Sequence, residues 1–276
     1  MNSPLLISVA PNGARRTKAD HAALPLAPGD IAGTASRCTA AGAALLHLHV
    51  RDGQGRHSLD PAHYRDALQA IGRATGSSLL VQVTTEACGL YAVDAQMHCV
   101  ESLQPDASSF AIREFFPGDD VDARVAAFFA GQIRRGLACQ FILYTPAEIH
   151  RLQQLVATGV IELPRPHALF VLGRYGDGPP SDPAALDAFL ARWPRDWPWS
   201  VCAFGPAELA VMARAIELGG HVRVGFENNL QDADGRLLAS NEARVQQVAS
   251  LAAASGRPLL DAAGARTLFH LTAKES

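Results

Sequence analysis

The fold is decided by the stretch Ala43-Ala44-Leu45-Leu46-His47-Leu48-His49-Val50-Arg51-Asp52, which has the pattern of a buried β-strand. Side chains alternate along a strand, so His47 and His49 lie on one face while the leucine at 48 and Val50 lie on the other. In a parallel α/β barrel the outward face packs against helices and the inward face lines the interior. The stretch therefore predicts two inward imidazoles near the C-terminal end of a barrel strand, where such enzymes keep their active sites.

Composition is that of an ordinary globular protein. The chain has 276 residues, 48% hydrophobic and 18% charged, with a formal net charge of −3, and the absence of a basic excess argues against nucleic-acid binding. Its five cysteines are scattered without a Cys-x-x-Cys pair, which suits a reducing cytoplasm. Because the sequence also shows no signal-peptide pattern and no apolar run long enough to span a bilayer, we expect a cytoplasmic protein without a membrane partner.

Short apolar runs alternate with longer segments of helical period along the whole chain, which is the pattern of repeated βα units. No linker divides it, so the predicted fold is an α/β TIM (β/α)8 barrel in one domain over residues 1–276, with a C-terminal helical extension. The predicted strands are 5–10, 43–52, 79–85, 107–112, 138–144, 169–172, 199–204 and 221–226. The predicted helices include 30–42, 93–103, 121–135, 241–254 and 262–268, and Asp60-Pro61 and Thr145-Pro146 mark the starts of two others.

The same alternation sorts polar residues by direction, once the apolar side chains are placed toward the helices. The inward set is Ser8, Asn12, Gln82, Thr84, Glu86, Ser109, Arg113, Gln140, Tyr144, Arg223 and Glu227. Barrel interiors are usually layers of branched aliphatic residues, and each buried polar group costs free energy unless it is paired. This interior therefore predicts a ligand site. The alternative is an internal salt-bridge network of Glu86, Arg113, Arg223 and Glu227 that only fills space.

A metal site would need a third ligand beside His47 and His49, and Glu227 can supply it. Strands two and eight both flank strand one in a closed barrel, so their tips converge over its end. The trio would leave a tetrahedral zinc ion one open position for water or a substrate oxygen, which is the catalytic arrangement. For the two histidines alone, the alternative is a hydrogen-bonded pair without metal.

Several stretches of the chain match a known family pattern. They are LHLHVR at 46–51, VQVTT at 81–85, LFVLG at 169–173 and GGHVRVGFENN at 219–229. Together they resemble the β-keto acid cleavage enzymes, which are TIM barrels that bind zinc through two strand histidines and the glutamate after Gly-Phe. The resemblance thus implies His47, His49 and Glu227 as zinc ligands. It also implies a β-keto acid and acetyl-CoA as substrates, acetoacetate and a new acyl-CoA as products of Claisen and retro-Claisen steps, and a homo-oligomer, a tetramer.

The catalytic base is where the sequence departs from the family pattern. The best-described member of the family carries an aspartate after the zinc-binding glutamate, and together with the arginine of that strand it acts as base on the substrate. Here the position is Asn228, which takes up no proton, while Arg223 is kept and can orient or stabilise the substrate. The base must then come from elsewhere. We consider Glu86 and Glu114, and prefer Glu86 for its inward direction.

A second departure concerns the substrate. Arg15 stands in the loop after the first strand, where members that take an amine substrate have a glutamate. A guanidinium prefers a carboxylate, so we expect a substrate with an anionic or polar far end, such as a β-keto dicarboxylate. The predicted substrate-binding set is Arg15, Asn12, Thr84, Arg113 and Glu114. The alternative is that Glu86 or Glu114 neutralises the arginines and leaves the pocket merely polar.

Coenzyme A contacts are predicted at the Gly173–Gly178 loop and the Gly205-Pro206 turn, because phosphates in barrels tend to sit after the later strands and at helix N-termini. The same metal ligands would also suit a zinc hydrolase or aldolase that uses no CoA. A requirement for acetyl-CoA would distinguish a β-keto acid cleavage enzyme from a zinc hydrolase or aldolase. A non-catalytic binding protein is disfavoured, since an open zinc position beside acid and base groups indicates chemistry.

Overall fold

The structure is a computed structural model that describes residues 3–174 and 181–271. In this part of the chain eight parallel strands close into a barrel in the order β1-β10-β9-β8-β7-β6-β5-β2, so the predicted TIM barrel is confirmed. The strands are β1 (Ile7–Val9), β2 (Leu45–Leu48), β3 (Val50–Arg51), β4 (His57–Ser58), β5 (Leu80–Thr84), β6 (Ala107–Ala111), β7 (Ala138–Leu143), β8 (His167–Leu172), β9 (Trp199–Ala203) and β10 (His221–Val224). The strands β3 and β4 form an antiparallel hairpin outside the barrel.

Helices connect the barrel strands, and several begin at the predicted caps. They are α1 (Pro28–Ala40), α2 (Pro61–Thr75), α3 (Val93–Leu103), α4 (Ile112–Phe115), α5 (Ala123–Arg134), α6 (Pro146–Ala157), α7 (Ala185–Leu190), α8 (Glu208–Glu217), α9 (Asn241–Ala254) and α10 (Ala262–Leu268). The Asp60 side chain accepts from the backbone N–H of Ala62 at the start of α2. Thr145 and Glu148 form a capping box at the start of α6. Among the described residues, no helix is both long and apolar enough to cross a bilayer.

The strand alternation places apolar side chains as expected. Leu46 and Leu48 belong to the main core cluster between strands and helices, whereas His47 is buried on the opposite face. At the N-terminal end of the barrel, α10 and the residue after it act as a plug, because Ala265 and Phe269 pack against an apolar layer at the beginnings of the strands. The other members of that layer are Leu6, Ala44, Leu45, Leu80, Ala107 and Ala138. The charged groups of the interior thus lie in the upper part of the barrel, although His167 and His221, at the starts of β8 and β10, are also buried near the plug.

Several strand ends differ from the prediction by one to four residues, and two of them bear on the site. The fourth barrel strand ends at Ala111, and Arg113 lies in the short helix α4 that follows. Strand alternation was therefore the wrong argument for the inward direction of Arg113, because the two-residue period of a strand does not continue into a helical turn. The second barrel strand ends at Leu48, and Val50 and Arg51 turn away to pair with His57 and Ser58.

Candidate active site

The three predicted metal ligands meet at the C-terminal end of the barrel. His47 Nε2 lies 3.1 Å from His49 Nε2, and a Glu227 carboxylate oxygen lies 3.2 Å from His49 Nε2 and 3.7 Å from His47 Nε2. All three side chains are buried. Ligand atoms about 2.0–2.1 Å from a tetrahedral zinc ion stand roughly 3.3 Å from one another. The donor set and its spacing therefore fit a zinc ion.

The orientation of His47 is set by a chain of amide groups. His47 Nδ1 lies 2.8 Å from Gln82 Oε1, and Gln82 Nε2 donates to Gln140 Oε1 at 3.1 Å. Because the side-chain oxygen Oε1 of Gln82 can only accept, His47 Nδ1 carries the proton. The lone pair of His47 Nε2 then faces Glu227. Burial lowers the pKa of His47 to about 3, although the Glu227 charge opposes the shift. The imidazole is thus neutral, as a metal ligand must be.

Arg223 holds the glutamate in its ionised form. Its Nη2 donates to Glu227 Oε1 at 3.0 Å. Burial alone would raise the pKa of Glu227, but the Arg223 guanidinium holds it well below its usual range. Within the described residues, Arg223 Nε and Nη1 are buried without a hydrogen-bond partner. Buried donors of this kind are rare in proteins, and these two can donate to a ligand.

A cavity of about 490 Å³ lies beside the ligand set. Of the predicted site residues, its wall contains Arg15, His47, Thr84, Glu86, Arg113, Glu114, Arg223 and Glu227. Glu86 is near the metal ligands, with Oε2 at 3.9 Å from His49 Nε2. Residues from the loops after β1, β5, β6 and β10 thus converge on one chamber, as the barrel topology predicts.

The two predicted asparagines are buried beside the ligands. Asn12 Nδ2 donates to the backbone oxygens of His49 at 3.1 Å and Pro25 at 3.0 Å, so Asn12 contacts the backbone of a ligand residue. Both polar atoms of the Asn228 side chain are buried without a protein partner among the described residues. A substrate contact for either asparagine stays a prediction.

The acidic and basic groups of the cavity pair differently from the salt-bridge network that was considered as the alternative to a ligand site. Arg113 Nε donates to Glu148 Oε1 at 2.6 Å, and its guanidinium lies 4.1 Å from the centre of the Tyr144 ring. Glu114 accepts from Gln96 Nε2 at 2.6 Å, and burial raises the pKa of Glu114. Of the four-residue network considered from the sequence, only the Arg223–Glu227 ion pair is present in the described part of the chain.

Sequence reasoning missed several residues of the cavity wall, among them Cys88 after β5. Arg174 follows β8 in the loop predicted to contact CoA and also lines the cavity, although its charge was not assigned to the site. Position after a barrel strand is the signal that would have found Cys88. The Cys88 thiol donates to Glu86 Oε1 at 3.2 Å, and burial raises the pKa of Cys88 to about 12, so it is a thiol and not a nucleophile.

The predicted CoA contacts are described only in part. Gly173 lines the cavity, while residues 175–178 of the predicted loop lie outside the described residues. In the Gly205-Pro206 turn, the backbone oxygen of Gly205 accepts from Asn229 Nδ2 at 3.1 Å. Contacts of either segment with CoA stay predictions.

The closed barrel and the His–His–Glu set beside a charged cavity define the class of protein, a TIM-barrel enzyme whose active site can hold a metal ion. More particularly, the chain belongs to the beta-keto acid cleavage enzyme family, whose pattern matches residues 4–271. The family predicted from the sequence is thereby confirmed.

Relatives of known activity cover nearly the whole chain. The 3-keto-5-aminohexanoate cleavage enzyme of Fusobacterium nucleatum is 29% identical over 98% of this chain and 99% of its own. The 3-oxoadipate:acetyl-CoA acetyltransferase of Cupriavidus necator is 31% identical over 100% of this chain and 98% of its own. These names agree with the predicted class of enzyme, an acyltransferase that cleaves a carbon–carbon bond. The ternary complex of ObcA with C4-CoA adduct and oxalate has the same fold, with a TM-score of 0.70 at 19% identity over 90% of this chain and 67% of that one.

Proposed function

We propose that this protein condenses a β-keto acid with acetyl-CoA and cleaves the adduct to acetoacetate and a new acyl-CoA, and that its β-keto acid carries a second carboxylate. The observation that carries the proposal is the position of Arg15 on the wall of the cavity that also contains His47, Glu227 and Arg223. A relative that covers the whole chain is named for 3-oxoadipate, a β-keto dicarboxylate. Charge on the far end of the substrate is the feature that Arg15 would recognise.

The other arginines of the cavity differ in how well they could bind a second carboxylate of the substrate. Arg113 pairs with Glu148 and Arg223 with Glu227, so these two guanidinium charges are largely balanced by protein carboxylates. Arg174 adds another positive charge to the same wall as Arg15. We assign the far carboxylate to Arg15 and Arg174, and Arg113 to a supporting role through its contact with Tyr144.

The reacting end of the substrate would lie beside the ligand set. Zinc held by His47, His49 and Glu227 would supply a Lewis acid for the keto oxygen. The buried Nε and Nη1 groups of Arg223 would donate to the negative charge that develops as a proton leaves the α-carbon. Glu86 is the proposed base, because its carboxylate lines the cavity 3.9 Å from His49 Nε2. Asn228 would contribute hydrogen bonds alone, with Thr84 and Glu114 on the wall.

The experiment measures zinc content and acetyl-CoA-dependent acetoacetate formation across a panel of β-keto acids. We expect near-stoichiometric zinc, and loss of both zinc and acetoacetate in Glu227→Gln. We also expect 3-oxoadipate to be turned over better than 3-keto-5-aminohexanoate. Zinc without acetoacetate from any keto acid would instead indicate a CoA-independent hydrolase or aldolase.

A single substitution tests the far-end contact. Arg15→Gln removes a charge-assisted hydrogen bond of about 1.5–3 kcal/mol, so kcat/KM for 3-oxoadipate should fall about 10- to 150-fold. Arg56→Gln is the matched control, because Arg56 is exposed and pairs with Asp52 in the β3–β4 hairpin. Preference of the parent protein for the amine substrate would contradict an anionic far end.

The quaternary structure and location proposed for the protein follow the family resemblance. We propose a homotetramer in the cytoplasm. All five cysteines are free thiols in the structure, which is compatible with a reducing compartment.

A further inference from the structure

The loop after β1 is tied to both halves of the ligand set by two arginines. We propose that Arg51 and Arg16 act in series as positioning residues, and that together they hold the Glu227 carboxylate against the histidine pair. The inference deepens the proposed function, on which it rests for the identity of the ligand set.

Arg51 forms the first link. It lies in β3, two residues after His49, and its Nη2 donates to the backbone oxygens of Gly13 at 2.6 Å and Arg16 at 3.0 Å. Its Nη1 donates to the backbone oxygen of Gly55 at 3.1 Å, within the same hairpin. A guanidinium offers five donors in a rigid fork, which suits a group that must reach several carbonyls at once. Arg51 thus fastens the loop after β1 to the hairpin that continues the histidine strand.

Arg16 forms the second link. Its Nη1 donates to the backbone oxygen of Phe226 and its Nη2 to that of Asn228, the latter at 3.4 Å. These carbonyls belong to the residues on either side of Glu227, so the guanidinium grips the main chain that carries the glutamate. The backbone N–H of Glu227 also donates to the oxygen of Ala10, at 3.0 Å. The turn is therefore held from the exit of β1 at more than one point.

The acceptors in both links are main-chain carbonyls, so displacement of either guanidinium would displace the main chain rather than one flexible side chain. A metal site tolerates errors of only about 0.5 Å in its ligands. His47 lies in β2 and His49 directly after it, whereas Glu227 follows β10. A physical link between the two segments is what keeps the three donors at their spacing.

Lysine substitutions test the two links. Arg51→Lys and Arg16→Lys keep the charge but replace the fork by a single ammonium, which does not span the same carbonyls. We expect each variant, stripped of metal and titrated with zinc against a competing chelator, to bind zinc about 10- to 100-fold more weakly than the parent. Arg56→Lys is the matched control in the same hairpin, because Arg56 bonds to Asp52 and Gln54, and its zinc affinity should equal that of the parent.

The double variant distinguishes a series from two separate supports. If the two links act in series, the double variant Arg16→Lys/Arg51→Lys should bind zinc about as weakly as whichever single variant binds it more weakly. If the two arginines have independent structural roles, the two fold-losses in zinc affinity should multiply. Multiplied losses would overturn the proposal. So would a folded single variant with the affinity of the parent.

Hydrogen–deuterium exchange of the metal-free protein gives a second readout. Arg51 donates to the loop after β1, yet Arg51→Lys should speed exchange at the amides of residues 225–229, because the effect passes through Arg16. Unchanged exchange there would contradict the series even in a protein that binds no zinc. If Arg51→Lys fails to fold, Arg16→Gln breaks the second link alone and serves in both measurements. A parent that binds zinc but forms no acetoacetate would refute the proposed function and leave this test intact.

Discussion

At the scale of single residues, the direction of the His47 lone pair depends on Gln82, a side chain that is not itself a predicted metal ligand. Gln82 accepts from His47 with one end of its amide and donates to Gln140 with the other. All three groups are buried, so removal of the middle one leaves two polar groups without partners. Gln82 therefore orients the imidazole and at the same time satisfies the hydrogen-bonding groups of two buried neighbours.

Gln82→Met should weaken both zinc binding and folding. Loss of a hydrogen-bond partner to a metal-binding histidine typically reduces metal affinity about 10- to 100-fold, and a buried group left unpaired costs about 1–3 kcal/mol. Zinc titration and denaturant unfolding of the metal-free protein measure the two effects. Gln246→Met is the control, because Gln246 is exposed on α9. A variant with the zinc affinity of the parent would show that the histidine keeps its orientation without the amide.

The histidine pair could be predicted from the sequence because the strand period places His47 and His49 on one face, whereas Glu227 joins them only because strand tips converge in a closed barrel. The pairing of Arg113 could not, since its partner Glu148 lies 35 residues away and the direction of Arg113 depends on where β6 ends. Arg174 lies in the loop predicted to contact CoA. Its charge was not assigned to the site, because the sequence alone does not show that the end of β8 faces the same cavity as Arg15.

At the scale of elements, the turn at Gly225 sets the position of Glu227 relative to the end of β10. Gly225 has φ of +132°, and a Cβ added there would lie 2.4 Å from the backbone oxygen of Ala10. Glycine is required on both grounds, since that backbone conformation and that approach each exclude a side chain.

Gly225→Ala should therefore lower the free energy of unfolding by about 2–4 kcal/mol, from backbone strain and overpacking together. Gly131→Ala in α5 is the matched control, because a Cβ there meets nothing within 4 Å, and it should stabilise the protein by about 0.5–1 kcal/mol. Urea unfolding of the metal-free proteins measures both. Equal stability of Gly225→Ala and the parent would mean that the turn can relax.

Helix bounds were predicted to the residue for three helices and to within two residues for α1 and α5, which span Pro28–Ala40 and Ala123–Arg134. The helices at 93–103, 241–254 and 262–268 have the predicted bounds, and the caps at Asp60 and Thr145 form as expected. The β3–β4 hairpin was not predicted, because each strand is only two residues long. A pattern needs more residues than that to show a period.

At the scale of the whole molecule, the charged site and the plug lie at opposite ends of the barrel. The plug formed by α10 and Phe269 closes the N-terminal end, while the C-terminal end holds the ligand set and the cavity. The residues that stabilise the fold and those that carry chemistry are thus largely in different layers. Buried charge also lies outside the site, and one ion pair there is an exception that should appear in the pH dependence of folding.

Glu208 of α8 and Arg244 of α9 form that exception. Glu208 Oε2 lies 3.0 Å from Arg244 Nε, and both side chains are almost fully buried. Burial raises the pKa of Glu208 from 4.5 to about 8, even though Arg244 opposes the shift. The backbone oxygen of Gln231 occupies another donor of Arg244, at 2.6 Å, so the guanidinium is shared between the carboxyl and the main chain.

The sign of the pH dependence follows from this raised pKa. Between about pH 4.5 and 8 the folded protein keeps a proton on Glu208 that the unfolded chain releases, so the free energy of unfolding should fall as the pH rises through this range. Glu208→Gln has no proton to lose and should remove this part of the slope, whereas Glu217→Gln, at an exposed position of the same helix, should keep it. Urea unfolding at several pH values, with chelator present to exclude metal, measures the slopes. A parent whose slope over this range equals that of Glu208→Gln would show instead that Arg244 keeps the carboxylate ionised, because a lowered pKa moves the pH dependence below about pH 4.5 and reverses its sign.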